Sequence, residues 1–162
     1  MRYTRTVTVF IHQTEEKLLT QYKINTMSTR AAIRFAERTP GQSFAEQPKD
    51  VTHQIYHHYD GYPDFLGVAI AKFVENADHN GTDCLAAHLL CKLKLCLHYD
   101  KVGISRGITY LEHPDKEHGD LDYSYYVWTG RGDEIWISIF RYDSDECLFV
   151  GKPCDLINKY TN

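Results

Sequence analysis

The chain has no Cys-x-x-Cys pair, no Gly-x-Ser-x-Gly elbow, no Walker-type phosphate loop and no excess of basic residues. Each absence removes a class of function. Without spaced thiol pairs there is no zinc-ribbon or dithiol redox motif. Without the elbow or the loop, the common serine-hydrolase and nucleotide-hydrolase signatures are missing. Lys and Arg number 18 against 22 Asp and Glu, for a net charge of −4. Long nucleic acid requires a basic face, because much of its affinity comes from counterion release, so no long nucleic-acid partner is expected. No apolar run approaches the roughly 18 residues that span a bilayer. Residues 1–11 are too polar for the core of a secretory signal. Five cysteines, an odd number, read as reduced thiols. The expected location is cytoplasmic, away from membranes, and no cofactor is called for.

The composition otherwise suits a folded domain. Its 162 residues are 43% hydrophobic and 25% charged. A chain of this length buries about two-thirds of its unfolded surface, which is enough to fold without a metal or disulfide. Aromatics reach 13%, and 12 residues are tyrosine. Tyrosine joins an apolar ring to a polar tip, so it suits sheet faces and ligand pockets alike.

Residues 3–11 read as a strand and 14–24 as a short helix. Met27-Ser28-Thr29-Arg30 then looks like a fresh start, which sets off residues 1–26 as an arm ahead of a domain at 27–162. An appended arm and an upstream start codon both fit. Residues 30–38 alternate with period two, placing Ala31, Ile33 and Phe35 on one face and Arg30, Arg34 and Arg38 on the other. A short strand is expected at Ser43–Gln47 and another at His53–Tyr59, with Gln54, Tyr56 and His58 opposed to Ile55 and His57. The period then changes to helical: Leu66, Ile70, Phe73 and Ala77 follow Pro63, and Leu85, Leu89, Leu93 and Leu97 follow an Asp83 N-cap. Strands are expected near 106–111, 121–129, 134–142 and 146–150, with a hairpin turn at 130–133 and a last helix from Pro153. This order predicts an α+β fold: an antiparallel-rich sheet with two central helices packed on one face.

Four constellations could carry chemistry. The first is His57-His58-Tyr59-Asp60-Gly61-Tyr62-Pro63, where a strand must turn sharply into a helix. Free amides at that helix start would attract an anion; the competing structural reading has Asp60 cap the helix and Gly61 make the turn. The second is the row Arg30, Arg34 and Arg38, a clamp for phosphate or carboxylate unless paired with acids. The third is the segment 120–126, where Asp120, Asp122, Ser124 and Tyr126 would share one strand face and Leu121, Tyr123 and Tyr125 the other; Tyr123 and Tyr125 could stack a base or simply pack across strands. The fourth is metal. Cys84, His88 and Cys91 share a helical face with His98 beyond, and His57 or His58 with Asp60 could join His118 and Asp120. Both metal sets are weaker readings than burial or capping, and no metal is expected.

Met27-Ser28-Thr29-Arg30, His58-Tyr59-Asp60-Gly61-Tyr62-Pro63 and His118-Gly119-Asp120-Leu121-Asp122-Tyr123-Ser124-Tyr125, in this order, resemble the STR, H-W-D-G-Y-P and G-D-[IL]-[ED]-Y-x-Y motifs of a family of small, uncharacterised phage and bacterial proteins. The likeness spans about residues 27–150, with Tyr59 where that family commonly has Trp. It implies a small accessory protein acting on host systems, including defence, in the host cytoplasm where phage-encoded.

Three functions follow as expectations. The first is a binding protein that sequesters a small anionic nucleotide-derived ligand through Arg30, Arg34, His57, His58, Asp60, Gly61, Tyr62, Tyr123 and Tyr125. The second is an inhibitor that binds a host protein. The third is a phosphodiesterase or nuclease using His57, His58, Asp60 and Asp120 as catalytic groups. Unpaired strand edges would allow a homodimer.

Overall fold

The first strand, β1 (Ala31–Glu37), shows why the chain folds as it does. Ala31, Ile33 and Phe35 are fully buried under helices, while Ala32, Arg34 and Ala36 point to the other side. The computed structural model describes residues 29–37, 41–77, 81–96, 109–129 and 134–161. The arm at 1–26, the start at Met27-Ser28, Arg38, Leu97, His98 and the hairpin turn at 130–133 lie outside the described residues.

The other strands are β2 (Asp50–His57), β3 (Thr109–Glu112), β4 (Tyr123–Thr129), β5 (Ile135–Arg141) and β6 (Cys147–Gly151). They form one sheet in the order β3-β2-β1-β4-β5-β6. Only the central β1–β4 pair is parallel, and the other four pairings are antiparallel. The fold is therefore α+β, with an antiparallel-rich sheet.

Helices α1 (Val68–Glu75), α2 (Thr82–Cys96) and α3 (Pro153–Thr161) lie on the same side. Leu66, Ile70 and Val74, then Leu85, Leu89 and Leu93, and finally Leu156 join Ile33, Ile55, Val127 and Ile137 in one apolar cluster. Of the helical stripes read from the sequence, Leu66, Ile70, Leu85, Leu89 and Leu93 are buried, while Phe73 and Ala77 are half-buried and Val74 is buried beside them. Helix α2 begins at Thr82, one residue before the expected Asp83 cap. No helix among the described residues is long and apolar enough to cross a membrane.

Two expectations fail. Residues 43–47 make turns rather than a strand: Glu46 N–H donates to the Ser43 carbonyl at 3.2 Å, which closes the chain on itself instead of onto a neighbouring strand. Leu121 does not share a face with Tyr123 and Tyr125. β4 starts only at Tyr123, and before it Leu121 packs against Ala32 and Tyr56 on the opposite side.

Candidate functional site

Strand pairing builds a polar row across the face that carries no helix among the described residues. Glu112 lies opposite Gln54, Gln54 opposite Arg34, Arg34 opposite Tyr126, and Tyr126 opposite Ser138. Side chains at one register on neighbouring strands stand close enough to bond laterally, and these do. Gln54 Nε2 donates to Glu112 Oε1 at 2.7 Å and to the Lys116 carbonyl at 2.8 Å. Arg34 Nε donates to Gln54 Oε1 at 2.6 Å, and Arg34 Nη1 to Ser124 Oγ at 2.9 Å and the Tyr126 hydroxyl at 3.0 Å. The Tyr126 hydroxyl in turn donates to Gln47 Oε1 at 2.6 Å. At the far end, His118 Nε2 lies 2.8 Å from Glu112 Oε2.

Arg34 is the chemically notable member. Its three acceptors are neutral oxygens, and it has no carboxylate partner among the described residues. Its Nη2 makes no hydrogen bond there either, yet it is not sealed from solvent. A guanidinium held through Nε and Nη1 by neutral groups, with Nη2 unengaged, keeps one nitrogen free to donate to an anion. Arg30 is not equivalent, because its Nη1 is paired to Asp120 Oδ2 at 2.7 Å.

Aromatic rings flank the row. On one side Tyr56 stacks on Tyr110 with centroids 5.1 Å apart, and the His118 ring lies 4.7 Å from Tyr56. On the other, Phe44 in the 43–47 turn lies against Trp128 and Trp136, which stack on each other. Arg34 itself sits 5.4 Å from the Tyr126 ring centroid. The loop 113–122 crosses this face from β3 to β4, which is why Lys116 and His118 meet residues of β2.

The strand-to-helix corner does something else. Asp60 takes a left-handed φ of 55°, and Gly61 passes tight against β1. A Cβ on Gly61 would lie 2.8 Å from the Thr29 carbonyl and 3.0 Å from Ala31 Cβ. Its amide donates to that carbonyl at 3.0 Å, and the Tyr125 hydroxyl donates to its own carbonyl at 2.6 Å. The Tyr62 carbonyl takes the N–H groups of Phe65, Leu66 and Gly67, opening a wide π-helical turn over Pro63–Gly67. At the expected anion-binding helix start, Pro63 has no N–H to offer, and the Phe65, Leu66 and Gly67 amides are spent on the Tyr62 carbonyl. The capping role for Asp60 is not seen either, since no side chain caps this helix. Burial does raise the Asp60 carboxyl above its usual pKa.

The expected ligand residues therefore divide between two faces. Arg30 and Arg34 lie on the open face, where His58 also stands, its Nδ1 2.8 Å from the Tyr56 hydroxyl. Burial and then the Arg30 charge lower the His58 pKa, with Asp120 opposing. His57, Tyr123 and Tyr125 lie on the helix face, and Tyr62 is exposed at the corner. Tyr125 is wholly buried, and burial pushes its hydroxyl pKa well up. A single site joining arginines, both histidines and these tyrosines is thus excluded, because the sheet stands between its halves. Nor do His57, His58, Asp60 and Asp120 form one catalytic set.

No group of three or more His, Cys, Asp or Glu side chains among the described residues could hold a metal. Cys84 and Cys91 are free and exposed.

Ser124, Tyr126, Gln54 and Glu112 were the residues to find beside Arg34. The alternation placed Gln54, Ser124 and Tyr126 on polar faces, but only register could line them up. In comparisons with known proteins, no family model, no curated protein and no solved structure matches the chain.

Proposed function

We propose that the protein is a binding protein that captures a small anionic, nucleotide-derived ligand on the helix-free face of its sheet. The observation that carries this reading is the Arg34 guanidinium, fixed by Gln54, Ser124 and Tyr126 and left without a carboxylate among the described residues. The free Nη2 can donate to an anionic oxygen, and phosphate offers several. On the same face, two strands from Arg34, Tyr110 is 39% exposed and already stacked on Tyr56, so its outer surface supports an aromatic base. The net charge of −4 favours a compact ligand over a polyanion, since one oriented cation suffices for a phosphate and a long strand needs many.

Calorimetry against cyclic dinucleotides and ADP-ribose derivatives tests this. At least one of them should bind. Arg34→Ala should weaken it by roughly 10- to 100-fold, the range of a charge-assisted hydrogen bond set. Tyr110→Ala, at an exposed position, should weaken it by at least about 5-fold. A folded protein that binds none of the panel rules out this ligand class. Recovery of intact ligand after long incubation separates capture from hydrolysis; product formation would move the reading to a phosphodiesterase.

A further inference from the structure

The row that holds Arg34 has a direction. A carboxylate has no proton to donate, so a glutamine beside one turns its amide nitrogen toward the acid and its oxygen away. Gln54 does this at one end: its Nε2 donates to Glu112 Oε1 at 2.7 Å, and its Oε1 accepts from Arg34 Nε at 2.6 Å. Gln47 does it at the other, donating to Asp145 Oδ1 at 2.7 Å and accepting from the Tyr126 hydroxyl at 2.6 Å. Arg34 thus meets these two acids only through neutral side chains. The acids differ in setting. Asp145 is exposed, whereas the Glu112 side chain is 8% exposed, so its charge is less screened.

Glu112 also accepts from His118, whose Nε2 lies 2.8 Å and 2.9 Å from its two oxygens. Nε2 donates there in both charge states of the imidazole, since the second proton goes to Nδ1. Nδ1 makes no hydrogen bond among the described residues and keeps surface open to water. A proton therefore reaches Nδ1 from solvent without breaking the row. Around the imidazole stand Glu112 and Tyr110 from β3, Tyr56 from β2, and Lys116, Glu117 and Asp120 from its own loop. Beyond Tyr56 come His58 and Arg30, the latter paired with Asp120. Burial is the first cause that raises the Tyr56 and Tyr110 hydroxyl pKa values, so neither ring takes a charge near neutral pH.

We propose that Glu112 and His118 form a proton-controlled gate on anion binding at Arg34. The gate rests on the reading of Arg34 as an anion site. With His118 neutral, the Glu112 charge repels an incoming anion. With His118 protonated, the pair carries no net charge and the repulsion is lifted. Glu112 stands two strands from Arg34, so it acts over roughly 10 Å. At an effective dielectric of about 20 to 40, one charge at that distance changes affinity roughly 4- to 16-fold. Linkage is reciprocal, so a bound anion also draws a proton onto His118.

Sulfate is the probe, because its charge is constant over about pH 5–8, where histidine gains or loses its proton. It is titrated into the full chain at fixed ionic strength and followed by the Arg34 Cζ resonance, with the folded state checked by circular dichroism. Sulfate should bind roughly 4- to 16-fold more tightly at the acid end. His118→Gln keeps a donor for Glu112 but takes no proton, and should hold the affinity at its weaker, alkaline value throughout. Glu112→Gln should raise the alkaline affinity, whereas loss of a merely structural support would lower it. His58→Gln should leave the pH dependence in place. Without sulfate, the Arg34 resonance should move with pH in step with His118 protonation, read from its imidazole nitrogen shifts. A sulfate affinity that is flat with pH, or that keeps its pH dependence in His118→Gln, overturns the gate and leaves the anion site standing. No effect of sulfate at Arg34 overturns the anion site itself, and the gate with it.

Discussion

The two faces of the sheet handle polar groups in opposite ways. The helix face is apolar, and its one buried histidine among the described residues, His57, is stripped of water and kept neutral. The open face carries a chain of hydrogen bonds from His118 through Glu112, Gln54, Arg34 and Tyr126 to Gln47, in which each group is matched by its neighbour across a strand. Burial without a partner destabilises the charged form of a group, whereas a lateral row of partners allows a charge to remain on a sheet surface. Stability should therefore reside on one side of the sheet and charge-based recognition on the other.

The largest expected effect comes from acid acting on the helix face. His57 titrates near 6.5 when unfolded and at about 4 when folded. Above pH 6.5 both states are neutral and stability is complete. As pH falls from 6.5 to 4 the unfolded imidazole takes a proton that the folded one refuses, so up to about 3 kcal/mol is lost. Urea melts across that window should show the loss, and His57→Phe should flatten it. An unchanged slope in the variant would mean that other groups carry the acid response.

Next is the corner. Gly61→Ala forces a Cβ against the Thr29 carbonyl, a backbone atom that cannot rotate away. The expected cost is about 2 kcal/mol, read as a lower denaturation midpoint. A neutral result would show that the corner yields and is not rigidly packed.

The sharpest comparison uses one chemical change on each face. Tyr125→Phe deletes a buried hydroxyl and leaves the Gly61 carbonyl short of a donor, costing about 1–2 kcal/mol. Tyr126→Phe removes the bond to Gln47 and one of the two that Arg34 Nη1 makes, in a part-buried setting. It should cost less than about 1 kcal/mol. Equal costs would mean that the two faces are equally dry.

The smallest effect is expected at Asp120→Ala. Its ion pair with Arg30 is largely exposed, so thermal melts should move by no more than about 0.5 kcal/mol of stability.

Much of this architecture was legible from local pattern. The alternation at 31–36 revealed which side of β1 would be buried, and the helical spacing of Leu85, Leu89 and Leu93 revealed the stripe of α2. Both follow from the geometry of a single element. The segment 43–47 misled because its turns press Phe44 onto the tryptophans, a contact with β4 and β5 far along the chain that no local pattern shows. The site was half legible. Arg34 was picked out together with Tyr123 and Tyr125 as ligand residues, whereas the side chains that hold it are Gln54, Ser124 and Tyr126.

The residues alone determined periodicity, and so the class of fold and the face on which side chains inside the regular strands and helices stand. Tertiary structure alone decided register: a parallel pairing of β1 with β4 sets Arg34 opposite Tyr126, and pairing with β2 sets it opposite Gln54. Sliding a strand by a single residue would exchange its faces and dismantle the polar row. No short-range pattern specifies that alignment, because it is chosen by how the whole apolar face packs under its helices.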